Sequence, residues 1–202
     1  MAISTYAELK TAIADFLNRD DLTSVIPTFI TLSEAQMARD IRHWRQEKRI
    51  TTTLNETFEI MPADFIEIDS LYIDDKRQLE VISLAELSRR KIATNSEAGE
   101  PRFYAFNSNQ IEFFPAPDQN YELTMVYIAR IDPLSDTDTF NWLLTYHPDI
   151  YLYAALLQTA PYLQDDARMQ VWGAMYQSAV DKLNLESKRS KHSGAVLKLR
   201  NK

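Results

Sequence analysis

The run "YHPDIYLYAALLQTAPYLQDDARMQVW", from Tyr146 to Trp172, gathers one histidine, three aspartates and four tyrosines. His147 and Asp149 are the nearest approach in this chain to an acid–base pair. Their spacing argues against that role, because residues i and i+2 at a helix start point apart, and Asp149 has a sufficient job offsetting the positive end of the helix dipole. Tyr151, Tyr153, Ala154, Ala155 and Leu157 instead predict a helix buried nearly all round, with tyrosine hydroxyls reaching polar partners at its rim. Asp136 and Asp138 have a loop spacing that suits calcium, but an EF-type loop needs a glycine and a distal glutamate that this stretch lacks. They are expected to form a solvated loop that caps the next helix, and Asp165 or Asp166 to cap the one after.

Composition removes most other chemistry. Without cysteine the 202-residue chain has no disulfide, no cysteine-ligated metal and no thiol nucleophile. His43, His147 and His192 never stand at the i, i+4 spacing of a helical metal pair. Gly99, Gly173 and Gly194 are the only glycines, too few for a phosphate-cradling loop, and the esterase elbow is missing. No catalytic, cofactor-binding or metal-ligating residue is therefore assigned. The start "MAISTYAELK" has neither the basic nor the apolar segment of a secretory signal, and no apolar run is long enough to span a bilayer, so the chain is expected in the cytosol, away from membranes.

Charge is uneven. The net −7 divides into +6 from Lys182 onward, seven Lys or Arg against Glu186, and −13 before it. An acidic body does not coat nucleic acid broadly, but a basic end can seek an acidic surface. Arg39, Arg42, Arg45, Lys48 and Arg49 read as one face and the last turn of a helix, either a phosphate-contacting stripe or a solvated surface. Arg89-Arg90-Lys91 is too short a cluster to mean much.

The elements that carry these residues can be read in order. Thr5 and Glu8 form a capping box, opening a helix whose apolar face is Tyr6, Leu9, Ile13, Phe16 and Leu17. A second helix starts near Pro27, with Ile30, Met37, Ile41 and Trp44 as its buried stripe. The pattern then turns β-branched and aromatic. Five or six strands are expected, with turns at Asp74-Asp75-Lys76 and Asn107-Ser108-Asn109, and a short helix between them capped by Ser83. Tyr121, Leu123, Met125 and Tyr127 line one face of the longest strand. Helices resume with Pro148 in a first turn, stop at Pro161, and continue in a long helix striped by Val171, Trp172, Met175, Ala179 and Leu183. The fold class is α+β: residues 1–50 and 136–190 form a helical bundle, residues 51–135 an inserted antiparallel β unit, and residues 191–202 an extended basic tail. In the tail Leu197, Lys198, Leu199 and Arg200 alternate, a pattern suited to strand addition or to an acidic partner.

Taken in series, "YAELKTAIADFLNRDDLTSVIPTFITLSEAQMARDIR", "MPADFIEIDSLYI", "GEPRFYAFNSNQIEFFPAPDQNYELTMVY" and "NWLLTYHPDIYLYAALLQTAPYLQDDARMQVWGAMYQSAVDKLN" resemble the head-to-tail adaptor proteins of tailed bacteriophages, especially short-tailed ones and related prophages. The resemblance covers almost the whole chain in the same order and rests on the series, not on any one motif. It implies a structural, non-enzymatic virion protein: a twelve-fold ring under the portal that extends the DNA channel, helps retain the genome and carries the tail nozzle and fibres or spikes. Its partners would be the portal protein, its own copies, those tail proteins and the DNA passing through. Carried over, portal docking falls on the tail from Lys191 to Lys202, Val196 included, with Leu197 and Leu199 as apolar anchors and Lys198 and Arg200 as charge partners. Arg39, Arg42, Arg45 and Arg49 would contact DNA or a neighbouring subunit. Two other classes stay open: a DNA-binding packaging factor using that arginine face, and a tail-associated cell-wall hydrolase, which needs paired carboxyl groups in a cleft.

Overall fold

The computed structural model describes residues 3–95, 97–162 and 167–192. It has the expected α+β class, divided into two compact units: one holds the described residues up to Arg45 and from Ile131 on, the other is Gln46–Arg130.

The first unit is helical. Helix α1 (Tyr6–Leu17) begins at the capping box, with the Glu8 amide donating to Thr5 Oγ1 at 3.3 Å and the Thr5 amide to Glu8 Oε2 at 3.1 Å. It ends on Asn18 in the left-handed region, φ 52°, a conformation asparagine tolerates better than most residues. Helix α2 (Ile26–Asp40) carries Pro27 in its first turn. After the β unit, which holds α3 (Leu84–Ala93), come the short α4 (Trp142–Tyr146), α5 (Pro148–Leu157) and α6 (Arg168–His192). Asn141, not Asp136 or Asp138, caps α4, its Oδ1 accepting from the Leu144 amide at 2.9 Å. Asp136 instead pairs with Lys10 at 2.9 Å, and Asp138 folds onto Ser135 and Thr137. The cap expected at Asp165 or Asp166 lies outside the described residues. One core joins these helices: Leu9, Ile13, Ile30, Met37, Ile150, Leu156, Trp172, Tyr176, Val180 and Leu183 all belong to it.

Helix α2 is shorter than its sequence pattern, and the cause is a tertiary contact. Asn184 on α6 donates from Nδ2 to the Asp40 carbonyl at 2.9 Å, and its Oδ1 accepts from the Arg42 amide at 2.9 Å. One side chain thus serves both sides of the break. Arg42 also turns back on its own chain, its guanidinium donating to the Ala38 and Ile41 carbonyls at 2.9 and 2.7 Å, a favourable use of a cation at a helix C-terminus. Trp44 consequently leaves the expected buried stripe and is 40 % exposed. Lys48 and Arg49 are not helical at all but stand on the first strand of the β unit.

Among the described residues that unit has eight strands where five or six were expected, because two are only two residues long and carry no periodicity to read. One sheet runs β1 (Glu47–Leu54), β8 (Tyr121–Ala129), β3 (Phe65–Ile73), β4 (Arg77–Gln78); the other runs β2 (Phe58–Ile60), β7 (Gln110–Phe114), β6 (Phe103–Asn107), β5 (Glu80–Val81). Pairing is antiparallel except between β5 and β6, where Glu80 lies opposite Phe103 in a parallel ladder. Alternation on β8 places Tyr121, Leu123, Met125 and Tyr127 in the core with Leu54, Leu71, Ile111 and Phe113. Asp74, Asp75 and Ser108 take positive φ at the turns. Helix α3 (Leu84–Ala93), capped by Ser83 at 3.2 Å, buries Leu87 with Ala105 and Phe114.

Candidate interaction surfaces

His147 and Asp149 take structural positions. His147 is the junction residue between α4 and α5, its amide donating to the Leu143 carbonyl at 2.7 Å and its carbonyl accepting from Ile150 at 3.2 Å. Asp149 sits exposed in the first turn of α5, and no hydrogen bond or ion pair joins it to His147. Tyr151 is fully buried and central to a polar network: its hydroxyl donates to Glu34 Oε1 at 3.2 Å and accepts from Asn141 Nδ2 at 2.7 Å. Glu34 also accepts from the Leu134 amide at 2.7 Å, and Asn141 donates to the Asp132 carbonyl at 2.7 Å. Burial pushes both the Glu34 carboxyl and the Tyr151 phenol above their ordinary values, as desolvation of a group that ionises to an anion requires. These groups hold the 131–141 segment against α2 and α5. Among the described residues no three acidic or imidazole side chains gather as a metal site, and no helix is long and apolar enough to cross a membrane.

The four arginines do not share one helix face. Arg39 lies exposed in the last turn of α2, while Arg42 is occupied with the helix end. Arg45 is sandwiched between aromatic rings, 4.9 Å from Trp44 and 4.4 Å from Tyr146. Arg49 stands on β1, in the other unit, and pairs with Asp75 at 2.9 Å. Lys191 falls in the last turn of α6; Val196, Leu197, Lys198, Leu199 and Arg200 lie outside the described residues.

A groove of about 730 Å³ runs between α5 and α6. Its floor includes Ile150, Tyr153, Ala179 and Leu183, and its open side carries Val171 and Met175. These last two were expected in the buried stripe of α6. They are 52 % and 45 % exposed, and the buried stripe is Trp172, Tyr176, Val180, Leu183 and Ser187. The displacement is one residue around the helix. Tyr176 takes the inward place by donating its hydroxyl to Asp40 at 2.8 Å, and that leaves Val171 and Met175 facing out with Ser178 and Lys182. The only sequence signal for this second face was the same 4-3-4 spacing in a neighbouring stripe.

The groove also carries His147, Asp149, Lys182 and Glu186, which no hydrogen bond or ion pair joins to one another, and apolar side chains at the mouth of a helix pair are what a macromolecular contact uses. Comparison with protein families agrees: the model described as "SU10 adaptor protein" matches residues 4–198. The chain belongs to the SU10 adaptor protein family. No curated protein matches it. Because the match runs through both units, the SU10 adaptor assignment applies to the whole fold and not to a shared module. Membership of this family makes the chain a structural adaptor of the phage virion.

Proposed function

We propose that this adaptor forms a ring, twelve-fold as in the proteins it resembles, beneath the portal of a tailed phage. There it extends the DNA channel, helps retain the packaged genome and carries the tail nozzle and fibres or spikes. Assembly takes place in the host cytoplasm, and the protein performs no catalytic step. The observation that carries this reading is the family match from residue 4 to residue 198. Two features support it. The helical unit keeps an open apolar groove although the rest of that unit is well packed, as a subunit of an assembly does. The −13 charge of the chain before Lys182 suits a conduit along which a duplex must slide without being held. Portal docking is assigned to the basic tail, from Lys191 through Val196, Leu197, Lys198, Leu199 and Arg200. Arg39, Arg42, Arg45 and Arg49 are assigned to subunit or channel contacts and not to a single phosphate-binding stripe.

The test is native mass spectrometry of the chain, of the chain with the portal ring from the same genome, and of a truncation ending at Ser190 with that portal. One adaptor per portal subunit, lost on truncation, is the expected result. No complex at any ratio overturns the reading. Salt-sensitive duplex binding that Arg42→Ala and Arg45→Ala abolish would then favour a packaging factor.

A further inference from the structure

Two surfaces of the helical unit have matching spacing. On the outer side of α2, Thr28, Leu32, Ala35 and Arg39 are all exposed, at intervals of four, three and four residues. On the open side of α6, Val171, Met175, Ser178 and Lys182 are exposed at the same intervals. Each set keeps one face of a helix over about 16 Å at 1.5 Å per residue. The α2 set is a ridge of small and apolar side chains ending in a cation. The α6 set borders the groove whose other wall is α5.

We infer that the α5/α6 groove receives the outer face of α2 from a second copy of this chain. The inference rests on the ring proposed above and supplies its contact. Helix ridges pack into the grooves between neighbouring helices at separations of about 8–10 Å, and Ala174, Ser178 and Ala179 keep this groove shallow-walled enough for such an approach. Charge fixes the direction. Arg45 stacks on Tyr146, and the Trp44 amide donates to Ser187 at 2.9 Å, so the start of α5 and the second half of α6 share one end of the groove. That end carries Asp149 and Glu186 around a single Lys182. Among the described residues neither Arg39 nor Asp149 has an ion-pair partner. Placing Arg39 of one copy at this end of the next sets Thr28 opposite Val171, Leu32 opposite Met175 and Ala35 opposite Ser178, with α2 and α6 parallel; Arg39 then lies beside Lys182, and Asp149 and Glu186 supply the carboxylates for the two cations. The reverse direction would put Arg39 against Val171. Ridge and groove are different patches, so the contact is head-to-tail, the kind that closes into a ring when its rotation permits.

The chain has no cysteine, which makes the contact directly readable. Leu32→Cys and Met175→Cys are introduced singly and together into the full chain, and a short bismaleimide is added to the free protein and to the protein assembled on the portal ring. Circular dichroism checks that each variant folds. On the portal ring the double variant is expected to give a ladder of covalent oligomers at least tenfold more abundant than either single variant. Arg39→Glu in that background should reduce the ladder about tenfold, and adding Asp149→Lys should restore it. If Met175→Cys alone cross-links as well as the double variant, the groove meets itself and the inference is wrong. If native mass spectrometry finds the ring but the double variant yields no ladder, the contact lies elsewhere and the ring reading survives. If no oligomer forms even with the portal, the ring reading falls and takes this contact with it.

Discussion

Tyr151→Phe removes one buried oxygen and nothing else, and its cost can be worked from the geometry. The ring keeps its place in the core, so no cavity term arises. Two hydrogen bonds go: the one Tyr151 donates to Glu34 at 3.2 Å and the one it accepts from Asn141 at 2.7 Å. Asn141 keeps the Asp132 carbonyl and Glu34 keeps the Leu134 amide, so neither is stranded. A bond to a charged group contributes about 1.5–3 kcal/mol and a neutral one about 1; at its length the first belongs near the lower end, giving a loss of about 2–3 kcal/mol. For a chain of this size that is a fall of about 5–10 °C in Tm. The assay is urea unfolding followed by tryptophan fluorescence, since Trp44, Trp142 and Trp172 all lie in the helical unit and report it alone. pH gives a second readout. Burial raises the Glu34 carboxyl above its ordinary 4.5, so the protonated acid is the form the fold prefers. The stability from this group is complete below that ordinary value and is lost as pH rises through the raised one. The variant withdraws a donor from the carboxylate, so its deficit should be larger at pH 8 than near pH 4. A deficit under about 0.5 kcal/mol, or one independent of pH, would refute the view that Tyr151 stabilises a charged Glu34.

Two further outcomes follow from the same kind of reasoning. His43 is buried, with its ring 5.1 Å from that of Trp142, and desolvation lowers its pKa. The native state therefore holds fewer protons than the unfolded chain just below the ordinary value of 6.5, and stability falls as pH drops through that window. His43→Phe keeps a ring against Trp142 and should flatten this limb of the fluorescence-monitored pH profile; an unchanged slope would assign it to another group. In the β unit, Glu112 is buried and held by Lys91 and by Asn107 at 3.2 Å. Lys91→Met should cost about 2–4 kcal/mol, below the 3–5 of a fully buried broken pair because Lys91 is partly exposed, and Lys91→Met with Glu112→Met should recover most of it. Amide hydrogen exchange on β7 measures both, and equal destabilisation in the double variant would contradict the account.

Local signals were legible wherever the fold obeys them. The capping box at Thr5 and Glu8, the Ser83 cap and the alternation from Tyr121 to Tyr127 each involve neighbours in sequence, and each stands where the residues alone place it. The end of α2 was not legible, because the side chain that satisfies the backbone there is Asn184, which is 144 residues from Asp40 in sequence. Without that partner the apolar spacing runs on through Trp44, and the basic residues beyond it look like one helix face. The stripe on α6 failed for a different reason. Val171 with Met175 and Trp172 with Tyr176 have the same spacing in adjacent rows, and only the partner at Asp40 decides which row turns inward. The candidate surface is the row left over. An interface is thus visible in a sequence only as a surplus of apolar residues over what one core uses, and that surplus has no periodicity of its own.

The surplus also bears on when a ring can form. A single helix set into a groove about 16 Å long makes a contact at the small end of the range for stable complexes. The acidic charge of each copy opposes the approach of the next, and the proposed match of Arg39 to the acidic end of the groove would offset only part of it. Two copies in solution therefore gain little from one such contact. A template that holds several copies side by side changes the balance without changing the contact, because each joining event becomes effectively intramolecular. Under the proposed function, a weak, directional surface keeps an adaptor monomeric until the portal presents adjacent sites and then lets it close with correct polarity. A stronger apolar seam would polymerise before it reached the portal, and a self-complementary one would stop at dimers.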